Sequence, residues 1–74
     1  MSQQSEIEIV LNGEPHQCKV GTTVTDLVFE LGLVPERLAI EYNMLILSRS
    51  KWASTTLAPG DRLELVHFVG GGCK

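Results

Sequence analysis

The last five residues of the chain are the ones whose types and spacing suggest chemistry: three glycines, Gly70 to Gly72, followed by Cys73 and Lys74. Glycine has no β-carbon, so a glycine segment is thin, is free in φ and ψ, and fits a narrow cleft. Three glycines extend the reach of the chain by roughly 10 Å, at about 3.3 to 3.6 Å per residue. This pattern predicts a flexible tail over residues 70–74 that carries a terminal carboxylate into another protein's active site. A disordered terminus without a role is the alternative.

A carboxylate at the end of such a tail needs chemical activation by a partner. It is a poor electrophile, and conversion to an acyl adenylate makes it open to attack by sulfur or nitrogen. A sulfur nucleophile reacts best as a thiolate, which forms readily near neutral pH. The tail therefore predicts a carrier, acted on by another enzyme, rather than a catalyst. An independent enzyme is disfavoured because the sequence shows no pair of carboxylates, no Ser/Cys–His set and no phosphate-binding glycine loop.

The elements that position the tail begin with a β-hairpin. The stretch EIEIVLNGEPHQCKV alternates apolar and polar residues around Asn12-Gly13, a pair that suits a two-residue type I′ turn. Such a turn places Ile7 opposite Cys18, whereas a longer turn through Gly13-Glu14-Pro15 would change that register. In either case Cys18 lies on a strand, where we interpret it as a small buried hydrophobe rather than a reactive thiol.

One amphipathic helix follows the hairpin. Thr23 is a suitable N-cap, Asp26 lies in the first turn where a negative charge favours the helix dipole, and Gly32 suits the left-handed C-terminal position. The spacing i, i+3, i+4 and i+7 places four apolar side chains on one stripe of this helix: Val24, Leu27, Val28 and Leu31.

Strands dominate the second half of the chain. The run LAIEYNMLIL predicts one strand, or two short ones broken near Asn43, and SRSKWASTTL is a mixed connection with room for a short strand. After the turn APGD, RLELVHFV forms the last strand. This order predicts an α+β fold with one helix across one face of the sheet, and the first and last strands are candidates for parallel neighbours at its centre.

The last strand ends in apolar residues on both faces. Val66 and Phe68 lie on one face, either as core residues under a loop or as an exposed patch that docks a partner. His67 lies on the other face and is interpreted as a partly buried strand residue rather than a catalyst or metal ligand.

Composition excludes several other classes of function. The net charge is −3, and the basic residues are scattered singly, which disfavours nucleic-acid binding. Two cysteines without CxxC or HxxxH spacing disfavour a disulfide framework, zinc and iron–sulfur clusters. The start MSQQSEIEIV lacks signal-peptide features, and no run of roughly 20 apolar residues exists to span a bilayer. We therefore expect a cytoplasmic single domain over residues 1–74, flexible at residues 1–5 and binding no metal or cofactor itself.

The stretch DRLELVHFVGGG resembles the end of the sulfur carriers of thiamine biosynthesis, the ThiS family, and IVLNGEPHQ resembles their opening hairpin. Length and element order agree as well, so the resemblance covers nearly the whole domain. It implies the ubiquitin-like β-grasp fold, a mixed sheet of four to five strands with one main helix on one face.

The resemblance also implies a reaction cycle for the terminal diglycine. An E1-like enzyme uses ATP to adenylate the last glycine, a sulfur donor of the cysteine desulfurase type converts it to a thiocarboxylate, and thiazole synthase receives the sulfur. On this sequence the diglycine is Gly71-Gly72, with Gly72 as the reacting residue. Family members end at that glycine, whereas here Cys73 follows it, so we expect a peptidase to cleave the Gly72–Cys73 bond. Attack of the Cys73 thiol on the Gly72 carbonyl is the alternative route.

Other functions share these features. A sulfur carrier for molybdopterin, cysteine or tRNA thiolation has the same fold and diglycine, and the HFVGGG segment favours thiamine over these. A ubiquitin-like protein modifier joined to lysines through Gly72 is the second alternative. The third is a β-grasp interaction module with an incidental glycine tail.

Overall fold

A computed structural model describes residues 5–68, which begin with the predicted hairpin. Strands β1 (Glu6–Leu11) and β2 (Glu14–Lys19) pair antiparallel, with Ile7 opposite Cys18. Asn12 and Gly13 have φ values of 53° and 82°, the positive angles that a two-residue turn of this type requires. The short-turn register is confirmed, and the longer turn is wrong.

The helix α1 (Val24–Leu31) begins and ends where its caps predict. The backbone N–H of Asp26 donates to Thr23 Oγ1 at 3.1 Å, and the Thr23 N–H donates to Asp26 Oδ2 at 3.1 Å. This reciprocal pair is a capping box, which satisfies two N–H groups that the helix leaves free. Gly32 ends the helix at φ 71°. Leu31, the last member of the predicted stripe, is 37% exposed, whereas the other three are buried.

Three further strands complete the sheet. Asn43 and Met44 have φ values of 52° and 76°, which break the predicted LAIEYNMLIL strand in two. The SRSKWASTTL connection contains a 3-10 helix and a single bridge between Thr56 and Thr23 where room for a strand was expected. The remaining elements are β3 (Leu38–Tyr42), β4 (Leu45–Ile46), β5 (Arg62–His67) and 3-10 helices at Pro35–Arg37 and Arg49–Lys51.

The sheet is mixed, with strand order β2-β1-β5-β3-β4. β5 pairs parallel with β1, where Leu11 lies opposite Leu63, and antiparallel with β3, where Leu38 lies opposite His67. The predicted parallel contact between the first and last strands is therefore confirmed. It makes β5 the central strand of the sheet.

The core lies between α1 and one face of the sheet. Trp52, which the sequence analysis did not place, is 4% exposed and closes the core from the connection before β5; its indole Nε1 donates to the Leu47 carbonyl at 3.1 Å. The buried apolar residues are Ile9, Cys18, Val24, Leu27, Val28, Leu38, Ile40, Trp52, Leu57 and Leu63.

The carboxylate of Asp61 fixes the start of β5. It accepts hydrogen bonds from the backbone N–H of Ala58 at 2.8 Å, the Tyr42 hydroxyl at 2.6 Å and the Asn43 side-chain amide at 3.2 Å. These bonds tie the predicted APGD turn to the end of β3. The bond from the Tyr42 hydroxyl raises the pKa of Tyr42 to about 12, because that bond needs the phenol proton. The beginning of the last strand is thus held by a partly buried polar cluster.

Candidate functional site

The candidate site is the end of β5, where the glycine segment begins. β1 turns away at Asn12, whose backbone N–H donates to the Leu63 carbonyl at 2.9 Å and whose Oδ1 accepts from the Leu65 N–H at 2.7 Å. Beyond Leu65, β5 is bonded to the β3 side, and the Phe68 N–H donates to the Arg37 carbonyl at 2.7 Å. The strand is therefore anchored up to Phe68, within four residues of Gly72.

The residues assigned to chemistry lie outside the described part of the chain. Gly70, Gly71, Gly72 and Cys73 all follow residue 68, so the adenylation site and the cleavage site remain predictions. Of the N-terminal segment expected to be flexible, residues 1–4 likewise lie outside it. Ser5 is described, and its carbonyl accepts a hydrogen bond from the Val20 N–H at 3.1 Å.

Val66 and Phe68 lie on the open face of the sheet, the face that α1 does not cover. Their exposed fractions are 51% and 54%, so the alternative that both are core residues is wrong. Val66 lies opposite Ala39 on β3, and the short side chain of Ala39 covers little of the Val66 side chain. The two side chains form an exposed apolar pair close to the glycine segment in sequence.

The helix side of the same strand end carries a shallow groove. It has a volume of about 340 Å³ and lies between the end of α1 and the sheet, lined by Leu31, Leu33, Leu38, Leu65 and His67 together with the hairpin turn. His67 is exposed, which corrects the prediction of a partly buried residue. It lies two residues beyond Leu65, where the last described hydrogen bond between β5 and the hairpin is made, and it lines the open groove.

Cys18 is a core residue, as predicted. Its side chain is 6% exposed and packs in the cluster beneath α1. Burial raises the pKa of its thiol, since desolvation disfavours the thiolate, and the nearby carboxylate of Glu30 acts in the same direction. A neutral buried thiol is a poor nucleophile, so this cysteine has a packing role.

Two features of other protein classes are absent from residues 5–68. No group of three His, Cys, Asp or Glu side chains in this range is arranged to hold a metal ion. No helix within the same residues is long and apolar enough to cross a membrane.

The sequence analysis missed a second exposed apolar surface, at the edge strand β4. Met44, Leu45 and Ile46 are 79%, 73% and 72% exposed. Their apolar character predicted a strand, but it does not say that this strand is two residues long and lies at the sheet edge. The asparagine at position 43 was the available signal in the sequence. Asparagine tolerates positive φ and therefore favours a turn, and a turn at this position leaves few residues for β4.

A mixed five-stranded sheet that holds one helix across one face and ends in a central strand defines the class of ubiquitin-like β-grasp proteins. A designed protein based on human erythrocytic ubiquitin shares this fold, with a TM-score of 0.56 and 26% identity over 95% of this chain and 99% of that one. The thiamine biosynthesis protein ThiS from Geobacter metallireducens is more similar, with a TM-score of 0.76 and 30% identity over 89% of this chain and 100% of that one. A model of the ThiS family matches residues 9–72, and the chain belongs to this family.

The relatives of this chain include a sulfur carrier protein and a thiazole synthase. The sulfur carrier protein ThiS of Escherichia coli is 30% identical over 66 residues, which cover 89% of this chain and all of that protein. The thiazole synthase of Magnetococcus marinus is 44% identical over 66 residues, which cover 89% of this chain and 20% of that protein. The chain thus spans about a fifth of the length of the thiazole synthase that it matches.

Proposed function

We propose that the chain is a sulfur carrier in which Gly72 bears the sulfur as a C-terminal thiocarboxylate. The observation that carries the proposal is the extent of the family match, which runs from residue 9 through Gly72 and stops there. The described structure supports it, because the central strand β5 is bonded up to Phe68 and leads directly into the glycines. We call the segment from Gly70 to Gly72 the glycine arm. A partner enzyme can bind the rigid domain while this thin arm, with its reactive group, enters the enzyme's active site.

Activation would take place on a partner enzyme that binds ATP. A carboxylate oxygen of Gly72 attacks the α-phosphorus of ATP, the bond to the β-phosphate breaks, and pyrophosphate leaves. The terminal sulfur of a persulfide on a donor protein of the cysteine desulfurase type then displaces AMP from the carbonyl carbon. A second thiol reduces the resulting acyl disulfide and leaves the thiocarboxylate on Gly72. This chain supplies the acyl group and no catalytic residue.

Gly72 is joined to Cys73 by a peptide bond, so its carbonyl is an amide and no carboxylate is present at this residue for adenylation. We propose that a peptidase cleaves the Gly72–Cys73 bond first. The competing route is an attack of the Cys73 thiol on the Gly72 carbonyl, which breaks the amide and forms a thioester with the cysteine side chain. The two routes differ in whether the thiol of residue 73 is needed.

Thiazole synthase is the proposed acceptor of the sulfur. Support comes from the relatives at 44% and 38% identity, in which a segment like this chain occupies about a fifth of a protein named thiazole synthase. Two functions joined in one polypeptide commonly act on a shared intermediate, since the covalent link raises the effective concentration of one for the other. The exposed pair Val66 and Phe68 lies beside the arm and is proposed as part of the docking surface for the partner enzymes.

Reconstitution tests this function. A Gly72-terminated chain is incubated with ATP, the E1-like adenylating enzyme of the same host, a cysteine desulfurase and cysteine, and its intact mass is measured. We expect one sulfur-for-oxygen replacement, confined by fragmentation to Gly72.

The matched controls are a chain that ends at Gly71 and the chain that still carries Cys73 and Lys74. The chain that still carries Cys73 and Lys74 should gain no sulfur in the absence of a peptidase, and the chain that ends at Gly71 should gain it more slowly because its carboxylate is one residue short of the reactive position. A Gly72-terminated chain that forms no adenylate and gains no sulfur with any of the host's adenylating enzymes would argue for an interaction module instead.

A further inference from the structure

Each of the two hairpin turns of the sheet contains an asparagine whose side chain bonds to β5. Asn12 follows β1 and Asn43 follows β3, and their φ values are 53° and 52°. The Oδ1 atom of Asn12 accepts a hydrogen bond from the Leu65 N–H at 2.7 Å. The Oδ1 atom of Asn43 accepts one from the Arg62 N–H at 2.8 Å. The two turns therefore hold the backbone of the last strand through the same kind of bond.

The two turns differ in the residue that follows the asparagine. Gly13 follows Asn12, whereas Met44 follows Asn43. The backbone nitrogen of the next residue can attack the side-chain carbonyl carbon of an asparagine and close a succinimide ring. A side chain on the next residue crowds this nitrogen and restricts its φ and ψ, and glycine imposes neither limit. Gly13 is exposed, and apart from its chain neighbours no heavy atom lies within 4 Å of the place of a β-carbon there, so solvent reaches the nitrogen.

The two asparagine side chains also differ in how firmly they are held. Asn43 is bonded at both ends of its amide, because its Nδ2 donates to Asp61 Oδ1 at 3.2 Å. Within residues 5–68 the Asn12 side chain is held through Oδ1 alone. An amide fixed at both ends must break both bonds to turn its carbonyl carbon toward the next nitrogen. Asn12 can turn about one bond, and that bond places an N–H on the oxygen that gains negative charge during the attack.

We propose that Asn12 is a deamidation site of the folded domain, whereas Asn43 is protected by its bond to Asp61. The Gly13 nitrogen loses its proton to solvent base and forms a bond to Cγ of Asn12. The Cγ–Nδ2 bond breaks, and Nδ2 takes up a proton and leaves as ammonia. Water then opens the succinimide at one of its two carbonyls, which gives aspartate or isoaspartate at this position. The reaction needs no enzyme, oxidant or reductant.

The two products have different consequences for β5. Aspartate keeps an acceptor oxygen in the place of Oδ1, so the bond from the Leu65 N–H is retained. Isoaspartate carries the main chain through the former side-chain carbonyl, which adds one methylene to the backbone of a turn whose length fixes the hairpin register. Its carboxylate sits on a shorter branch and no longer reaches the Leu65 N–H. Isoaspartate at residue 12 therefore releases β5 from the hairpin turn at this point.

The test incubates the full chain at mildly alkaline pH, in native buffer and in urea, and follows both asparagines by peptide mapping with mass spectrometry. Isoaspartate is identified by enzymatic carboxyl methylation. In native buffer we expect Asn12 to convert at least about tenfold faster than Asn43. Its native rate should also exceed, by about tenfold or more, the urea rate multiplied by the unfolded fraction. A native rate no greater than that product would place the reaction in the unfolded chain and overturn the proposal.

The matched variant is Met44→Gly, which gives both turns the Asn-Gly pair and suits the φ of 76° at position 44. In urea the two asparagines of this variant should convert at rates within about twofold, because the fold no longer distinguishes them. In native buffer Asn12 should remain at least about fivefold faster, since Asp61 still holds Asn43. Equal native rates in this variant would show that the glycine alone sets the reactivity and would overturn the role assigned to the fold.

The isoaspartate form, separated from the parent by ion exchange, tests the consequence for β5. Hydrogen exchange of the Leu65 amide should be about tenfold faster or more in this form, because the amide has lost its acceptor. The aspartate form is the control and should exchange at close to the parent rate. Unchanged exchange in the isoaspartate form would refute the release of β5.

Discussion

The Oδ1 atom of Asn12 accepts a hydrogen bond from the backbone N–H of Leu65 at 2.7 Å, across 53 positions of sequence. The hairpin turn thereby takes over the role of β1 at the point where β1 ends, since the preceding bond of β5 on this side is from the Asn12 N–H to the Leu63 carbonyl. The same residue holds the turn at positive φ and anchors the strand that leads to the glycines. One asparagine therefore couples the first turn of the chain to its last strand.

We predict that Asn12→Ala destabilises the domain by about 2 kcal/mol, because it combines a lost hydrogen bond with an unfavourable left-handed conformation. Asn12→Asp is the matched control, since aspartate keeps the acceptor oxygen and also tolerates positive φ. Urea unfolding measures the free energies, and hydrogen exchange should show faster exchange of the Leu65 amide in the alanine variant. Equal stability of the two variants would contradict this role for the side-chain oxygen.

The bond from Tyr42 to Asp61 predicts a loss of stability at alkaline pH. The folded state raises the pKa of Tyr42 from 10.0 to about 12, so folding favours the protonated phenol. The stabilisation is complete below about pH 10 and is lost as the pH rises toward about 12, because the unfolded chain releases the proton first. The urea midpoint should therefore fall over this range.

Tyr42→Phe is the control for this pH dependence. It lacks the titrating phenol, so its stability should be lower than that of the parent at about pH 8 and should fall less between about pH 10 and about pH 12. Parallel pH profiles for the parent and the variant would show that the bond to Asp61 does not shift the phenol.

The burial of Cys18 predicts that its thiol reacts slowly with alkylating reagents. In a Cys73→Ser background, which leaves Cys18 as the remaining thiol, alkylation by iodoacetamide should be much slower in the native protein than in urea, because the side chain is 6% exposed and its pKa is raised. Cys18→Ser should cost about 1 to 3 kcal/mol by placing a hydroxyl in the core, while Cys18→Ala should cost less. Native alkylation as fast as in urea would refute the packing role.

The Cys73→Ser exchange also distinguishes the two routes to an activated Gly72. If a peptidase cleaves the Gly72–Cys73 bond, the serine variant should be trimmed and should transfer sulfur at close to the parent rate. If the cysteine thiol attacks the Gly72 carbonyl, transfer should be abolished, because a serine hydroxyl is a much weaker nucleophile. Intact mass analysis of the variant from the native host, together with a sulfur-transfer assay, reports on both steps.

Local signals in the sequence determined much of this fold. Asn12-Gly13 set the hairpin turn and with it the pairing of Ile7 with Cys18, because a two-residue turn leaves one register. Thr23, Asp26 and Gly32 set both ends of α1, because caps act on backbone groups within one turn of the helix. Such features depend on neighbours a few positions away, which a single sequence displays.

Only the tertiary structure decided which side chains are exposed and which side chains distant in sequence lie next to each other. Alternation placed Val66 and Phe68 on one face of a strand, but it did not say that the single helix covers the other face. The pairing of Glu41 with Glu64 depends on the register of two strands joined by a long connection, and so does the burial of Trp52 against strands distant in sequence. Contacts of this kind are set by packing of the whole sheet, since no short-range energy term distinguishes one register of β3 on β5 from the next. The sequence alone thus indicates a carrier with a glycine arm, whereas the exposed surface at the end of β5 is defined by the fold.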